Sequence, residues 1–122
     1  IRFMRDPTRG GLAAVLNEVV EGTSCGVTIS ESSIPVSPRV KAVADILGLD
    51  PMHAASEGRV VLICAESAAG AVLDRWRRLP GGSDAVRAGS VNAAAGRVIL
   101  ETAIGGRRLV DMPGGELLPR IC

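Results

Sequence analysis

Three stretches of the chain hold residues whose types and spacing suit them to chemistry. The sequence ends on Leu118-Pro119-Arg120-Ile121-Cys122, placing a thiol at the last position. A buried thiol is inert and an exposed one is a liability unless it is used. A free thiol ionises with a pKa of about 8.5; the C-terminal carboxylate beside Cys122 opposes ionisation and Arg120 offsets it. Cys122 therefore reads as a modest nucleophile that a partner's site must activate, although an inert terminal residue has the same sequence. From Met112 to Cys122 an extended chain spans roughly 35 Å. Pro113 and Pro119 stiffen parts of it, and Gly114-Gly115 supplies a pivot.

The second stretch is MRDPTRGGL, residues 4–12. Asp6, Pro7 and Thr8 are helix-start signals, and Gly10 and Gly11 fall where the backbone enters the helix. Backbone N–H groups there point out at the positive end of the helix dipole. Glycine admits an anion close to those amides, and Arg5 and Arg9 add fork-shaped, charge-assisted contacts for phosphate oxygens. The segment lacks a P-loop lysine pattern, and an ordinary capped helix with two surface arginines has the same spacing. The third stretch is HAASEGRVV, where Glu57 and Gly58 precede an apolar run. A carboxylate at a strand edge beneath a loop is placed to act as a general base or to hold a charged partner, while many loop glutamates are simply solvated. His53 is the only histidine and reads as a loop residue; no metal site is expected from it.

Helices and strands must position these stretches. Leu12, Val15, Leu16, Val19 and Val20 have the i, i+3, i+4, i+7, i+8 spacing of one buried helical face, and Gly22 stops that helix. GVTIS (26–30) alternates as a half-buried strand. PRVKAVADILG predicts a helix opening on Pro38 and closing on Gly48. RVVLICA (59–65) is apolar on both faces and predicts a central strand. Residues 67–79 predict an amphipathic helix capped by Ser67, with Ala69, Val72, Leu73 and Trp76 on its apolar face. AVRAGSVN, GRVILETA and RRLVDM follow as strands, joined by AAAG and IGG, which read as hairpin turns. The order of elements predicts an α+β domain with helices packed on one mixed β-sheet. Residues 1–111 form that domain, and residues 112–122 read as a flexible tail.

At 122 residues the chain suits one core. That core must be aliphatic, since 47% of the residues are hydrophobic and 2% aromatic. A net charge of +1 with dispersed basic residues gives nucleic-acid binding little support. No apolar run is long enough to cross a bilayer. Cys25, Cys64 and Cys122 form no C-x-x-C pair, which argues against a disulfide framework or a zinc site and for a reducing, cytoplasmic setting. Cys64 reads as plain core, and Cys25 has no stated role. Ile1 is not followed by a signal peptide pattern, so the sequence is expected to be a piece of a longer polypeptide.

MRDPTRGGL followed by a helix, SEG before an apolar strand, and the terminal Pro-Arg-Ile-Cys together resemble the C-terminal half of the HypE-type hydrogenase maturation family. That family lies within the aminoimidazole-ribonucleotide-synthetase-like (PurM-like) superfamily of ATP-using enzymes. The likeness covers essentially the whole chain. It implies a PurM-like C-terminal domain whose N-terminal, ATP-binding domain lies outside this chain, so that this piece alone is expected to be inactive. It also implies a carbamoyl dehydratase. The terminal cysteine, here Cys122, takes a carbamoyl group from a HypF-type carbamoyltransferase, and ATP-dependent dehydration turns the thiocarboxamide into a thiocyanate. The cyanide then passes through a HypC/HypD-type scaffold to the iron of a [NiFe] hydrogenase. Arg5, Asp6, Thr8, Arg9, Gly10 and Gly11 would lie at or support the nucleotide cleft, Glu57 would be the base, and Mg2+ would be held by the missing half, in a homodimer. Ser56 stands where the family motif has Asn. Other PurM-like enzymes (selenophosphate synthetase, aminoimidazole ribonucleotide synthetase, thiamine-phosphate kinase) share the Gly-Gly helix start without a terminal cysteine. A docking module using Leu117, Leu118 and Ile121 would work equally well with a terminal serine.

Overall fold

A computed structural model describes residues 1–114. The chain opens with strand β1 (Phe3–Arg5), which the helix-start signals of MRDPT concealed. Helix α1 (Gly11–Val20) follows, burying Ala13, Ala14, Val15, Leu16 and Val20. Leu12 and Val19 lie at its margin, partly buried against the same core. Strand β2 (Gly26–Ser30) then turns Val27 and Ile29 inward, the alternation expected of a sheet with one covered face.

Helix α2 (Pro38–Leu47) has the boundaries its sequence predicts. The Ser37 hydroxyl accepts from the Val40 amide at 3.3 Å, Pro38 occupies the first turn, and Gly48 ends the helix at φ +66°. A short 3-10 turn at Pro51–His53 leads to strand β3 (Val61–Ile63). Helix α3 (Glu66–Arg77) begins one residue earlier than expected. Its cap position is Ala65 with no side-chain hydrogen bond, so Ser67 is not the cap. Glu66 occupies the first turn and Arg75 and Arg77 the last, each charge opposing the local end of the helix dipole. Strands β4 (Gly89–Asn92), β5 (Val98–Glu101) and β6 (Arg107–Leu109) complete the described chain.

The class is α+β, with the strands divided between two sheets. The larger has the order β4-β2-β5-β6 and is mixed: β2 and β5 run parallel, with Val27 beside Val98 and Ile29 beside Leu100. Its remaining pairings are antiparallel. The IGG segment is the hairpin turn expected, closed by the Thr102 amide on the Gly106 carbonyl at 2.9 Å. AAAG is not. β4 and β5 flank β2 rather than pairing with each other, and the link passes over the start of β2, where the Gly96 amide donates to the Cys25 carbonyl at 2.9 Å. Nor is β3 a central strand among the described residues: it pairs antiparallel with β1 alone, and its residues are half-buried. Cys64 just beyond it is likewise only partly buried, and Cys25 and Cys64 are free thiols.

The core lies between α1 and the inner face of the larger sheet, with Met52 of the 3-10 turn and Val110 closing its edge. Leu100 is 1% exposed at the centre. Truncation by Leu100→Ala is expected to destabilise the domain by about 3 kcal/mol through lost transfer energy and the cavity left behind. The shift of the denaturant midpoint at unchanged slope measures it.

Candidate functional site

The register of β1 and β3 brings two of the three candidate stretches together. Arg5 sits opposite Val61, so the chain leaving β1 (residues 6–10) and the chain entering β3 (residues 56–60) lie at the same end of the small sheet. The Ser56 amide donates to the Pro7 carbonyl at 3.0 Å and ties the two segments directly. Pro7 is buried, and Thr8 and Ser56 are half-buried. Asp6, Arg9 and Glu57 are exposed, and form the open face of this corner. Thr8 Oγ1 donates to Asp6 Oδ2 at 3.0 Å, so this hydroxyl steadies the acid instead of capping α1.

The two arginines separate. Arg5 pairs with Glu18 of α1, whereas Arg9 has no ion-pair partner among the described residues and remains available to an anion. The glycines serve packing. Both have φ +64°, in the left-handed region that other residues enter at a cost. A Cβ on Gly10 would lie 2.7 Å from the Ala14 Cβ and 3.1 Å from Pro113 Cγ. One on Gly11 would lie 2.6 Å from the carbonyl oxygens of both Met52 and Ala54. The space beside Gly11 is thus lined with acceptors, which repel phosphate oxygens. Any phosphate group here fits the Thr8 and Arg9 side of the corner and the amides of the first helical turn.

The same packing shows which residues meet the tail segment. Val110 is 2% exposed, and its carbonyl accepts from Asn17 Nδ2 of α1 at 2.8 Å. The next carbonyl, of Asp111, lies 3.2 Å from His53 Nε2. Pro113 then leans on Gly10, so the chain beyond β6 runs onto the start of α1. His53 belongs to a small polar cluster. Asp50 Oδ1 accepts from the Met52 amide at 2.9 Å, and Asp50 Oδ2 takes Arg108 Nη2 at 2.5 Å and lies 3.7 Å from His53 Nδ1. A hollow of about 260 Å³ opens here between Leu49, Asp50 and His53 on one side and Met112–Gly114 on the other.

Asn17, Asp50, His53 and Arg108 were not anticipated as site residues. Asp50-Pro51 is a turn-opening signal, but only the fold brings the loop it begins to residues 111–114. Asp50→Ala removes the cap of the 3-10 turn and strands Arg108. A loss of about 1 to 2 kcal/mol is expected, read as a lowered melting temperature.

Cys122 and the rest of residues 115–122 lie outside the described residues. Cys122 lies eight positions beyond Gly114, a reach of about 26 to 29 Å for an extended chain. Among the described residues no three His, Cys, Asp or Glu side chains converge as metal ligands. No described helix is long and apolar enough to cross a membrane.

Comparison with known proteins sharpens this picture. The chain is 50% identical over 123 residues to carbamoyl dehydratase HypE of Bradyrhizobium diazoefficiens, covering 100% of this chain and 36% of that protein. It superposes on the crystal structure of the hydrogenase maturation protein HypE in complex with ATP with a TM-score of 0.89 at 43% identity, covering 98% of this chain and 37% of that one. Against the HypE-HypF complex the TM-score is 0.85 at 37% identity, over 90% of this chain and 36% of the other. The resemblance read from MRDPTRGGL, SEG and PRIC therefore extends to sequence and fold alike, while the chain spans 36% of the length of that curated relative. The family model described as AIR synthase related protein, C-terminal domain, matches residues 1–101, from β1 through β5 and including the corner formed by Asp6–Gly11 and Ser56–Glu57, and the chain belongs to that family.

Proposed function

We propose that this chain is the C-terminal part of a carbamoyl dehydratase that carries its own substrate on Cys122. The observation that carries the reading is the path of residues 110–114. They run from the core edge onto the start of α1, beside the corner that holds Thr8, Arg9 and Glu57, and end within tail's reach of it. The relatives named carbamoyl dehydratase and the relative crystallised with ATP support it.

The chemistry follows from an amide oxygen being a poor leaving group. ATP, when bound, would supply a phosphoryl group to this oxygen, releasing ADP and letting the oxygen depart as phosphate. The two amide protons are lost, and the carbon–nitrogen bond becomes a nitrile on sulfur; the formal change is loss of one water. Arg9 and the first-turn amides of α1 meet the phosphate charge, and Thr8 supports them by holding Asp6. Glu57 takes a proton from nitrogen, and Ser56 holds its loop against Pro7. Asp6 is steadied by Thr8 in the same turn, and Arg5 by Glu18, so both support the corner. Gly10 and Gly11 keep the 52–54 loop and Pro113 against α1.

Asp6 is the only carboxylate in the α1 approach, so Mg2+ would draw its ligands from phosphate oxygens and from the N-terminal half that these relatives possess. In this reading residues 1–111 act as the folded domain and 112–122 as the carrier arm, the chain alone is inactive, and the working protein is a cytoplasmic homodimer. Its carbamoyl donor is a HypF-type carbamoyltransferase, consistent with a relative crystallised as a HypE-HypF complex. Its cyanide passes to a HypC/HypD-type scaffold and on to [NiFe] hydrogenase iron.

The test incubates the full-length protein with the carbamoyltransferase, carbamoyl phosphate and magnesium, then weighs the C-terminal peptide. A carbamoyl adduct on Cys122 that loses the mass of one water only when ATP is added supports the reading, and an adduct indifferent to ATP rejects it. Glu57→Gln is expected to slow that water loss by about 10²- to 10⁴-fold at unchanged KM for ATP. Single-turnover rates at saturating ATP measure it.

A further inference from the structure

We propose that His53 is a positioning residue that fixes the direction in which the carrier arm leaves the domain. The inference rests on the proposed role of Cys122 as carrier and adds a residue to it. A carbonyl oxygen only accepts, so the 3.2 Å contact requires a hydrogen on His53 Nε2, donated to the Asp111 carbonyl. The opposite edge of the ring is set by its surroundings. Nδ1 faces Asp50 Oδ2 at 3.7 Å, and that carboxylate is itself held by Arg108 Nη2 and, through its other oxygen, by the Met52 amide. The His53 side chain is 18% exposed, the most enclosed of the ion-pairing groups described, so its ring has little freedom to turn away. It is thereby a fixed donor on a short turn whose backbone is packed against Gly11 of α1.

The position of its acceptor gives the contact its consequence. Among the described residues Val110 is the last whose side chain belongs to the core, and Asn17 holds its carbonyl. Asp111 is the next residue, so His53 holds the first carbonyl beyond the core. Two residues on, Pro113 rests against Gly10. Asn17, His53 and Gly10 thus guide three successive points of the chain toward the start of α1. About 26 to 29 Å of chain follows Gly114, so holding the root of the arm beside the start of α1 raises the effective concentration of its end at the corner. An intramolecular reaction depends steeply on how often the reacting group arrives correctly oriented. Sequence alone assigned His53 to an ordinary loop.

The experiment uses the full-length protein. His53→Phe keeps a ring of similar shape without a donor, and His53→Gln restores a donor near the Nε2 position. Each protein is loaded with carbamoyl on Cys122, and the ATP-dependent loss of water is followed in a single turnover, with KM for ATP measured separately. The Phe variant is expected to react about 3- to 10-fold more slowly at unchanged KM, the scale of one lost hydrogen bond. The Gln variant should recover most of the rate, and hydrogen exchange of the 107–114 peptide should be faster in the Phe variant alone. Equal rates in wild type and Phe variant would overturn the assignment, as would a well-folded Gln variant no faster than Phe. Failure of the Phe variant to fold would also overturn it, by making His53 a core residue. If wild-type protein never forms the dehydrated adduct, it is the carrier reading that fails; if it does and the variants match it, only the role of His53 falls.

Discussion

Cys122→Ala in the full-length protein is expected to abolish formation of both carbamoyl and cyano adducts while leaving the melting temperature unchanged. The loss is total because the sulfur is the attachment point; no neighbouring group can take over a bond that never forms. The second expectation is independent of the first: the described hydrophobic core closes with Val110, twelve residues short of the cysteine. Mass spectrometry of the C-terminal peptide and a melting curve check the two halves separately. An adduct formed elsewhere on the variant at the wild-type rate would remove Cys122 from the chemistry.

Gly11→Ala is expected to be the most damaging small substitution near the corner. The new methyl would sit 2.6 Å from two carbonyl oxygens, on a backbone at φ +64°. Either the 52–54 loop withdraws from α1 or the helix start is distorted. A loss of about 3 kcal/mol or more is expected, combining left-handed strain with overpacking. Because the loop continues through Ser56 to Glu57, turnover should fall in whatever protein remains folded. Gly58→Ala is the control: its φ is +67°, yet nothing lies within 4 Å of the added Cβ. It should cost only about 1 kcal/mol. Denaturant midpoints of the two variants separate collision from backbone strain, and equal losses would show that strain alone accounts for Gly11.

The contrast between these glycines shows what the sequence made legible. Local signals suffice at α2, which Ser37, Pro38 and Gly48 bound, and at β2, which alternation of Val27 and Ile29 marks, but not at α3, where Ser67 is not the cap. Pairing was not legible. An apolar run such as RVVLICA reports that both faces are avoided by water, but not which strands lie beside it, and β3 meets only β1 among the described residues. The AAAG segment resembles a hairpin turn because a short link ending in glycine between two strands often is one; here it carries the chain across the beginning of β2, a choice made by the parallel pairing of β2 with β5. Gly10-Gly11 suggested an open approach for an anion. The Cβ side of both is taken by residues 52–54 and Pro113, which are distant in sequence and so invisible to a motif, leaving an anion the side of the first-turn amides and Arg9. His53 needs the fold too: Asp50 is its near neighbour in the chain, but Asp111 and Arg108 join them only when the end of the sheet is folded against the loop.

These points explain the division of the site. Residues that touch solvent at the corner, namely Asp6, Arg9 and Glu57, were identifiable by type. Those that hold the corner and the arm in register, namely Asn17, Asp50 through Arg108, His53 and Ser56, are hydrogen-bonded across long stretches of chain and become visible only in the fold.

The most direct test of the carrier account is an infrared spectrum of the full-length protein after loading with carbamoyl phosphate labelled with carbon-13. A nitrile stretch that grows only with ATP, shifts with the isotope and vanishes in Cys122→Ala is the predicted result. Consumption of ATP with no labelled nitrile bonded to that sulfur would contradict it.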